Sequence, residues 1–323
     1  MATELRPLGT TGLLVSPVAL GCWPIAGMTS LDVNDADSLA TLAAALDLGI
    51  NFWDTAYIYG PQGESERLIG RAWGERRDEV VLATKGGIHW DASGQRAFDA
   101  RPATLRRQCE ESLRRLGTDR VELLYLHAPD PKVPVAESAG ELRRLMDEGK
   151  ARAIGVSNFT LAQLAEFETA CPITAYQPAY NMLQRDIERD TLPWCRDRGI
   201  AVCVYWPLLK GLLAGKLPRD HVFRPGDGRA KYPMFQGEQW QKNQDFLDEL
   251  RALAAELGHT VAQVVINWTI QQPGITVALC GAKRADQIEE TAGALGWRLT
   301  PEQIGRIDLA LVRRGRPISR AAV

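Results

Sequence analysis

The chain has 323 residues, 45% of them hydrophobic and 24% charged, with a formal net charge of −2. These values are ordinary for a globular protein, and the balance gives no electrostatic reason to bind nucleic acid or an anionic membrane surface. No apolar run is long enough to span a bilayer, and the first residues lack a basic-then-apolar leader pattern. Cys22, Cys109, Cys171, Cys195, Cys203 and Cys280 are scattered without Cys-x-x-Cys spacing, which argues against a zinc site or a disulfide framework. Buried reduced thiols in a cytoplasmic protein are the expectation, with no metal.

Residues 3–18 read as a β-hairpin. Leu5–Leu8 and Leu13–Val15 flank the glycine-rich turn Gly9-Thr-Thr-Gly12. Beyond it, short apolar runs end at or near Gly21, Asp54, Lys85, His127, Ser157, Gln177, Tyr205 and Leu279, with helical stretches between them. Residues 102–116 show the helical plan: Pro102 opens, Leu105, Cys109, Leu113 and Leu116 line one face, and Gly117 closes. Residues 134–148 repeat it from Pro134 to Gly149. Thr160-Leu-Ala-Gln163 and Thr260-Val-Ala-Gln263 fit capping boxes.

Eight strands alternating with helices, without a composition break, point to an α/β fold. The pattern predicts a (β/α)8 TIM barrel with an N-terminal β-hairpin, as one domain over 1–323. Residues 207–239 break the rhythm with a long stretch rich in Gly, Pro and charge, the composition of a functional or mobile loop. Residues 301–323 read as one more helix and a polar, frayed tail.

Barrel enzymes carry their chemistry where strands run into βα loops. Asp54, Tyr59, Lys85 and His127 fall at or just beyond the ends of the second, third and fourth barrel strands. Lys85 beside the Tyr59 phenol would favour phenolate and lower its pKa. Asp54 would pair with Lys85. His127 could donate to a substrate oxygen or tune the tyrosine. The set makes a general acid able to protonate an oxygen while another agent delivers hydride.

Asp54-Thr-Ala-Tyr-Ile-Tyr-Gly60, the Lys85 strand, Leu124-Tyr-Leu-His127 and Gly155-Val-Ser-Asn-Phe159 resemble aldo-keto reductase signatures in the right order, and the likeness covers nearly the whole chain. By that resemblance the four residues form a catalytic tetrad, with Tyr59 as proton donor to a carbonyl oxygen. The resemblance also implies NADPH (NADH possible), bound extended across the barrel mouth. The absence of a Gly-x-Gly-x-x-Gly motif agrees. Ser157, Asn158 and Gln177 would hold the carboxamide, Tyr205 would stack on the nicotinamide, and Pro207 and Leu208 would follow along the cofactor. Gly281, Ala282, Lys283 and Arg284 would meet phosphates, the basic pair taking the 2′-phosphate, and Gln287 and Glu290 the adenosine. Trp206 and Thr291 stand where relatives often carry serine and asparagine. The 207–239 segment resembles the family's loop over the cofactor.

Trp23, Tyr57, Ile58 and Trp90 either line a substrate pocket or pack the loops among themselves. An aromatic wall suits an apolar carbonyl compound or a sugar face. The resemblance implies reduction of aldehydes or ketones. Its alternatives are a sugar or alcohol dehydrogenase on the same site, or a non-catalytic subunit that senses nicotinamide cofactor. These motifs leave the reaction direction, and the choice of monomer or homo-oligomer, open.

Overall fold

Short strands close on themselves because neighbours with apolar faces on both sides leave no edge to solvent. The computed structural model describes residues 4–28 and 31–316. Thr3 of the expected hairpin and residues 317–323 of the expected tail lie outside that range. Two residues each form β1 (Arg6–Pro7) and β2 (Leu14–Val15), paired antiparallel. The barrel strands follow: β3 (Val18–Gly21), β4 (Phe52–Asp54), β5 (Val81–Gly86), β8 (Val121–Leu126), β9 (Ala151–Ser157), β10 (Ala175–Gln177), β11 (Ala201–Val204) and β12 (Ile275–Gly281). They pair parallel in chain order, and β12 returns to β3 to close the expected eight-stranded barrel.

Helices α1 (Asp35–Asp47), α2 (Glu64–Ala72), α3 (Pro102–Leu116), α4 (Val135–Asp147), α5 (Leu161–Ala170), α6 (Thr191–Asp197), α7 (Gly237–Leu257), α8 (Val261–Gln271), α9 (Ala285–Ala292) and α10 (Pro301–Arg314) fill the connections and the end of the chain. Local chemistry sets their ends. Pro102 occupies the first turn of α3, and Gly117 closes it at φ 66°. Thr160 with Gln163 and Thr260 with Gln263 form both predicted capping boxes. Thr300 with Gln303 adds a third, ahead of α10.

The barrel interior holds Leu8, Val15, Ala19, Phe52, Ala83, Tyr125, Cys203 and Val277, all buried, with Leu13 and Tyr205 packed against this cluster. Leu8 and Val15 place the N-terminal hairpin in the barrel floor. Arg6 fixes it there, its Nη1 donating to the carbonyls of Ile270, Ile275 and Thr276. Between β5 and α3 the chain forms a second hairpin that was not anticipated, β6 (Ile88–Trp90) and β7 (Arg96–Phe98). The long 207–239 segment is not featureless. It carries 3₁₀ turns at Leu209–Ala214, Gly228–Lys231 and Pro233–Phe235, and α7 begins at its end.

Candidate active site

The loop from Thr55 to Gly60 is held from several sides before any chemistry is considered. Thr55 N–H donates to the Ala83 carbonyl and Tyr57 N–H to that of Lys85, so the loop continues the sheet. Ser65 N–H donates to the Tyr59 carbonyl, and Ser65 Oγ lies 2.8 Å from Thr55 Oγ1. This fixes Tyr59 over the end of β5.

Lys85 is buried, and its ammonium uses all three protons. It donates to Asp54 Oδ1 at 2.5 Å, to the Thr55 carbonyl at 2.8 Å and to Tyr59 Oη at 3.1 Å. Tyr59 therefore accepts from Lys85, and its own proton is left to point elsewhere. The other Asp54 oxygen accepts from Gln177 Nε2 at 2.7 Å. The His127 ring lies edge-on to Tyr59, with centroids 6.0 Å apart, and its Nδ1 has no hydrogen-bond partner among the described residues.

Burial pushes the Tyr59 phenol above its ordinary value; Lys85 pulls it back only in part. The expected lowering by Lys85 is thus outweighed by desolvation. Burial alone would pull Lys85 down, but Asp54 and Tyr59 hold the ammonium above its ordinary value. Burial raises the Asp54 carboxyl against the opposing pull of Lys85 and Gln177. Burial, then Lys85 and Arg96, push His127 well below the ordinary imidazole value, leaving it neutral.

Four expected cofactor residues meet beside the tetrad. Ser157 Oγ donates to the Gln177 carbonyl. Asn158, at φ 63°, donates from Nδ2 to Ser157 Oγ and the His127 carbonyl. Tyr205 OH donates to Asn158 Oδ1 at 2.7 Å. Pro207 is buried and Leu208 half-buried where the long segment begins. Trp206 adopts φ 59°, sparsely populated for a bulky residue, and lies edge-on to Tyr205. Lys210 Nζ sits 4.1 Å from the Trp206 ring centre.

The opposite end of the expected cofactor track starts at Gly281, which is exposed, whereas Ala282 turns inward. Lys283 Nζ donates to the Leu31 carbonyl, and Lys283 N–H to Gln287 Oε1. Arg284 forks onto Asp286, and Glu290 pairs with Lys216 at 2.6 Å. No side chain caps the N-terminus of α9, and Thr291 turns its hydroxyl to the Ile288 carbonyl.

Of the four pocket candidates, Trp23 meets Tyr59 edge-on at 5.0 Å. Trp90 and Tyr59 pack on one apolar base that includes Ile58, whose carbonyl accepts from Trp90 Nε1. Tyr57 turns the other way. Its hydroxyl donates to Glu111 at 2.6 Å and Arg115 covers its ring, at a cleft lined by Arg67, Glu111, Arg114 and Arg115. Alternating residues in loops carry no fixed face, so sequence could not separate Tyr57 from Tyr59. Sequence reasoning also passed over Arg96, whose guanidinium lies 5.4 Å from the Trp23 ring centre and 5.9 Å from that of Trp90. The turn Asp91-Ala-Ser-Gly94 between aromatic residues was the available hairpin signal.

The profile described as Aldo/keto reductase family matches residues 17–311. The chain belongs to the aldo-keto reductase family. It is 37% identical to aldo-keto reductase YhdN of Bacillus subtilis (strain 168), over 93% of this chain and 91% of that protein. It is 32% identical to probable aldo-keto reductase 1 of Glycine max, over 94% of this chain and 88% of the relative. Among solved structures, the glycerol dehydrogenase AKR11B4 from Gluconobacter oxydans superposes with a TM-score of 0.91 at 37% identity, each chain covered in full. The holo form of aldo-keto reductase AKR11C1 from Bacillus halodurans gives 0.77 at 26%, over 99% of this chain and 98% of that one. Aldo-keto reductases are oxidoreductases that generally use nicotinamide cofactors. Among the described residues no helix is long and apolar enough to cross a membrane, and no metal-ligand cluster occurs.

Proposed function

We propose that this aldo-keto reductase is a cytoplasmic NADPH-dependent reductase of aldehydes and ketones, with Tyr59 as the proton donor. The observation that carries this reading is the direction of one hydrogen bond. Lys85 donates to Tyr59, so the phenol proton is available to a substrate oxygen. Burial keeps that phenol protonated, as a general acid must be.

The residues present fit a dinucleotide. Ser157, Asn158 and Tyr205 cluster beside the tetrad, and Gly281 leads by an exposed backbone to the uncapped N–H groups of α9, where a phosphate is favoured. Lys283 and Arg284 stand at that turn, where their charge suits a 2′-phosphate and so NADPH over NADH. When bound, NADPH supplies hydride to the carbonyl carbon. Tyr59 transfers its proton to the carbonyl oxygen, and Lys85 stabilises the phenolate that remains. Asp54 keeps Lys85 charged and aimed. The neutral His127 offers one N–H to the same oxygen. Gln177, read from sequence as a carboxamide ligand, has its amide on Asp54 and acts through that carboxylate as a positioning residue.

The likeness to a protein named glycerol dehydrogenase supports the reverse direction as a second reading, with Tyr59 phenolate accepting the proton of a small alcohol. NADPH consumption with a panel of aldehydes tests the first reading, with NADH run in parallel for cofactor preference. Tyr59→Phe is expected to lose about 10²–10⁴-fold in kcat while still binding NADPH. Equal rates in the two proteins would overturn the assignment.

A further inference from the structure

Arg96 is placed by the β6–β7 hairpin, where it pairs across the strands with Trp90. Its guanidinium rests against Trp90 and Trp23, and Trp23 touches Tyr59. It also lies close enough to His127 to oppose protonation of the imidazole. Trp23 thus links Arg96 to Tyr59, and Arg96 lies on the His127 side of the strand ends.

Most arginines on this surface meet a carboxylate, as Arg71, Arg76, Arg101 and Arg219 do. Arg96 forms no ion pair among the described residues. The two carboxylates nearest to it in sequence are committed elsewhere. Asp91 accepts from the backbone and hydroxyl of Ser93 and from Gln95 N–H. Asp99 is clamped by Arg101 and Thr104. Asp54, across the site, is taken by Lys85 and Gln177. What remains is a planar five-donor cation, oriented by two aromatic rings, with its polar edge unspent.

We infer that Arg96 is a specificity-determining residue that binds an anionic oxygen group, carboxylate or phosphate, carried by the carbonyl substrate. This rests on the reductase reading and narrows it to small aldehydes or ketones bearing such a group. The tryptophans supply the apolar wall for the carbon skeleton between the anion and the carbonyl. A guanidinium fork recognises the two oxygens of a carboxylate or phosphate at once.

The test compares matched pairs: 4-carboxybenzaldehyde with its methyl ester, and glyceraldehyde 3-phosphate with glyceraldehyde. In the wild type, kcat/KM should favour the charged member of at least one pair by about three- to tenfold, the size of one charge-assisted hydrogen bond made by an exposed guanidinium. The pair that shows it separates carboxylate from phosphate. Arg96→Gln should abolish the ratio, chiefly through KM, and Arg96→Lys should restore part of it. An unchanged ratio in Arg96→Gln, or no preference in the wild type, would overturn the inference. Equilibrium binding of 4-(hydroxymethyl)benzoate against benzyl alcohol gives a second readout that needs no turnover. A preference for the acid that Arg96→Gln removes supports the anion site even if no aldehyde is reduced, in which case only the reductase reading falls. Equal binding of the two alcohols counts against Arg96.

Discussion

At the scale of single residues, the site turns on how Lys85 distributes three protons. Asp54, Thr55 and Tyr59 take one each, which leaves the phenol to donate. That Asp54, Tyr59, Lys85 and His127 would come together was legible because they sit at or just beyond strand ends. The ionisation of Tyr59 was not, because desolvation depends on burial that no local pattern encodes. The sign of the pH dependence follows. On the proposed reading reduction needs protonated Tyr59, and its pKa is raised, so kcat/KM should hold through neutral pH. It should fall only as pH rises past the ordinary phenol value of about 10. On the acid side it should fall as Asp54, raised above the usual carboxylate range, takes up a proton and releases Lys85. No limb should occur near the ordinary imidazole value of about 6.5, since His127 is held neutral there. A pH profile of kcat/KM checks all three, and a limb near neutrality that disappears in His127→Gln would contradict the account.

Elements reach the tetrad through the back of its loop. Buried Glu66 on α2 accepts from Thr84 on β5 at 2.7 Å, and its second oxygen lies 3.1 Å from Arg115 on α3. The same Arg115 nitrogen is 3.1 Å from the Tyr57 carbonyl, two residues before Tyr59. Gly63, at φ 75°, makes room, since a Cβ there would come within 2.5 Å of Arg115 Nη1. Arg115→Met would strand the Glu66 carboxylate in the interior. The expected cost is about 3–5 kcal/mol, read as a lower urea midpoint, with a reduced kcat as the loop loosens. Glu66→Gln added to it should recover part of the midpoint, and an unshifted midpoint in Arg115→Met would refute the pillar. Helix α3 was visible from its Pro102 opening, apolar stripe and Gly117 close, to the residue, whereas α2 was implied only by the alternation of strands and helices. The cross-element contacts of Glu66 and Arg115 were not legible, because no local pattern separates a charge on a buried helix face from one that faces solvent. The β6–β7 hairpin was hidden for a related reason, its strands being three residues long.

For the whole molecule, the alternation of strand and helix announced a barrel, but not how its interior is filled. Tyr125 on β8 fits only because Gly155 faces it on β9. A Cβ at Gly155 would approach the ring carbons to 2.4 Å and the Ala175 carbonyl to 2.8 Å. Gly155→Ala should therefore cost about 1–3 kcal/mol by overpacking, seen as a lower thermal midpoint, and Tyr125→Leu in the same chain should relieve it. An unaltered midpoint in the single variant would mean the interior has slack that the structure lacks. The floor of the barrel has a different consequence. Leu8 and Val15 seal it and Arg6 bolts the seal to β12 and α8. A pipe has two doors, and this vessel has one. With the interior packed and its floor shut, any small molecule bound at the strand ends can come and go only by the rim, so of two guests stacked there the deeper would be held in while the shallower stays. Traffic through a single neck becomes a queue, last in and first out.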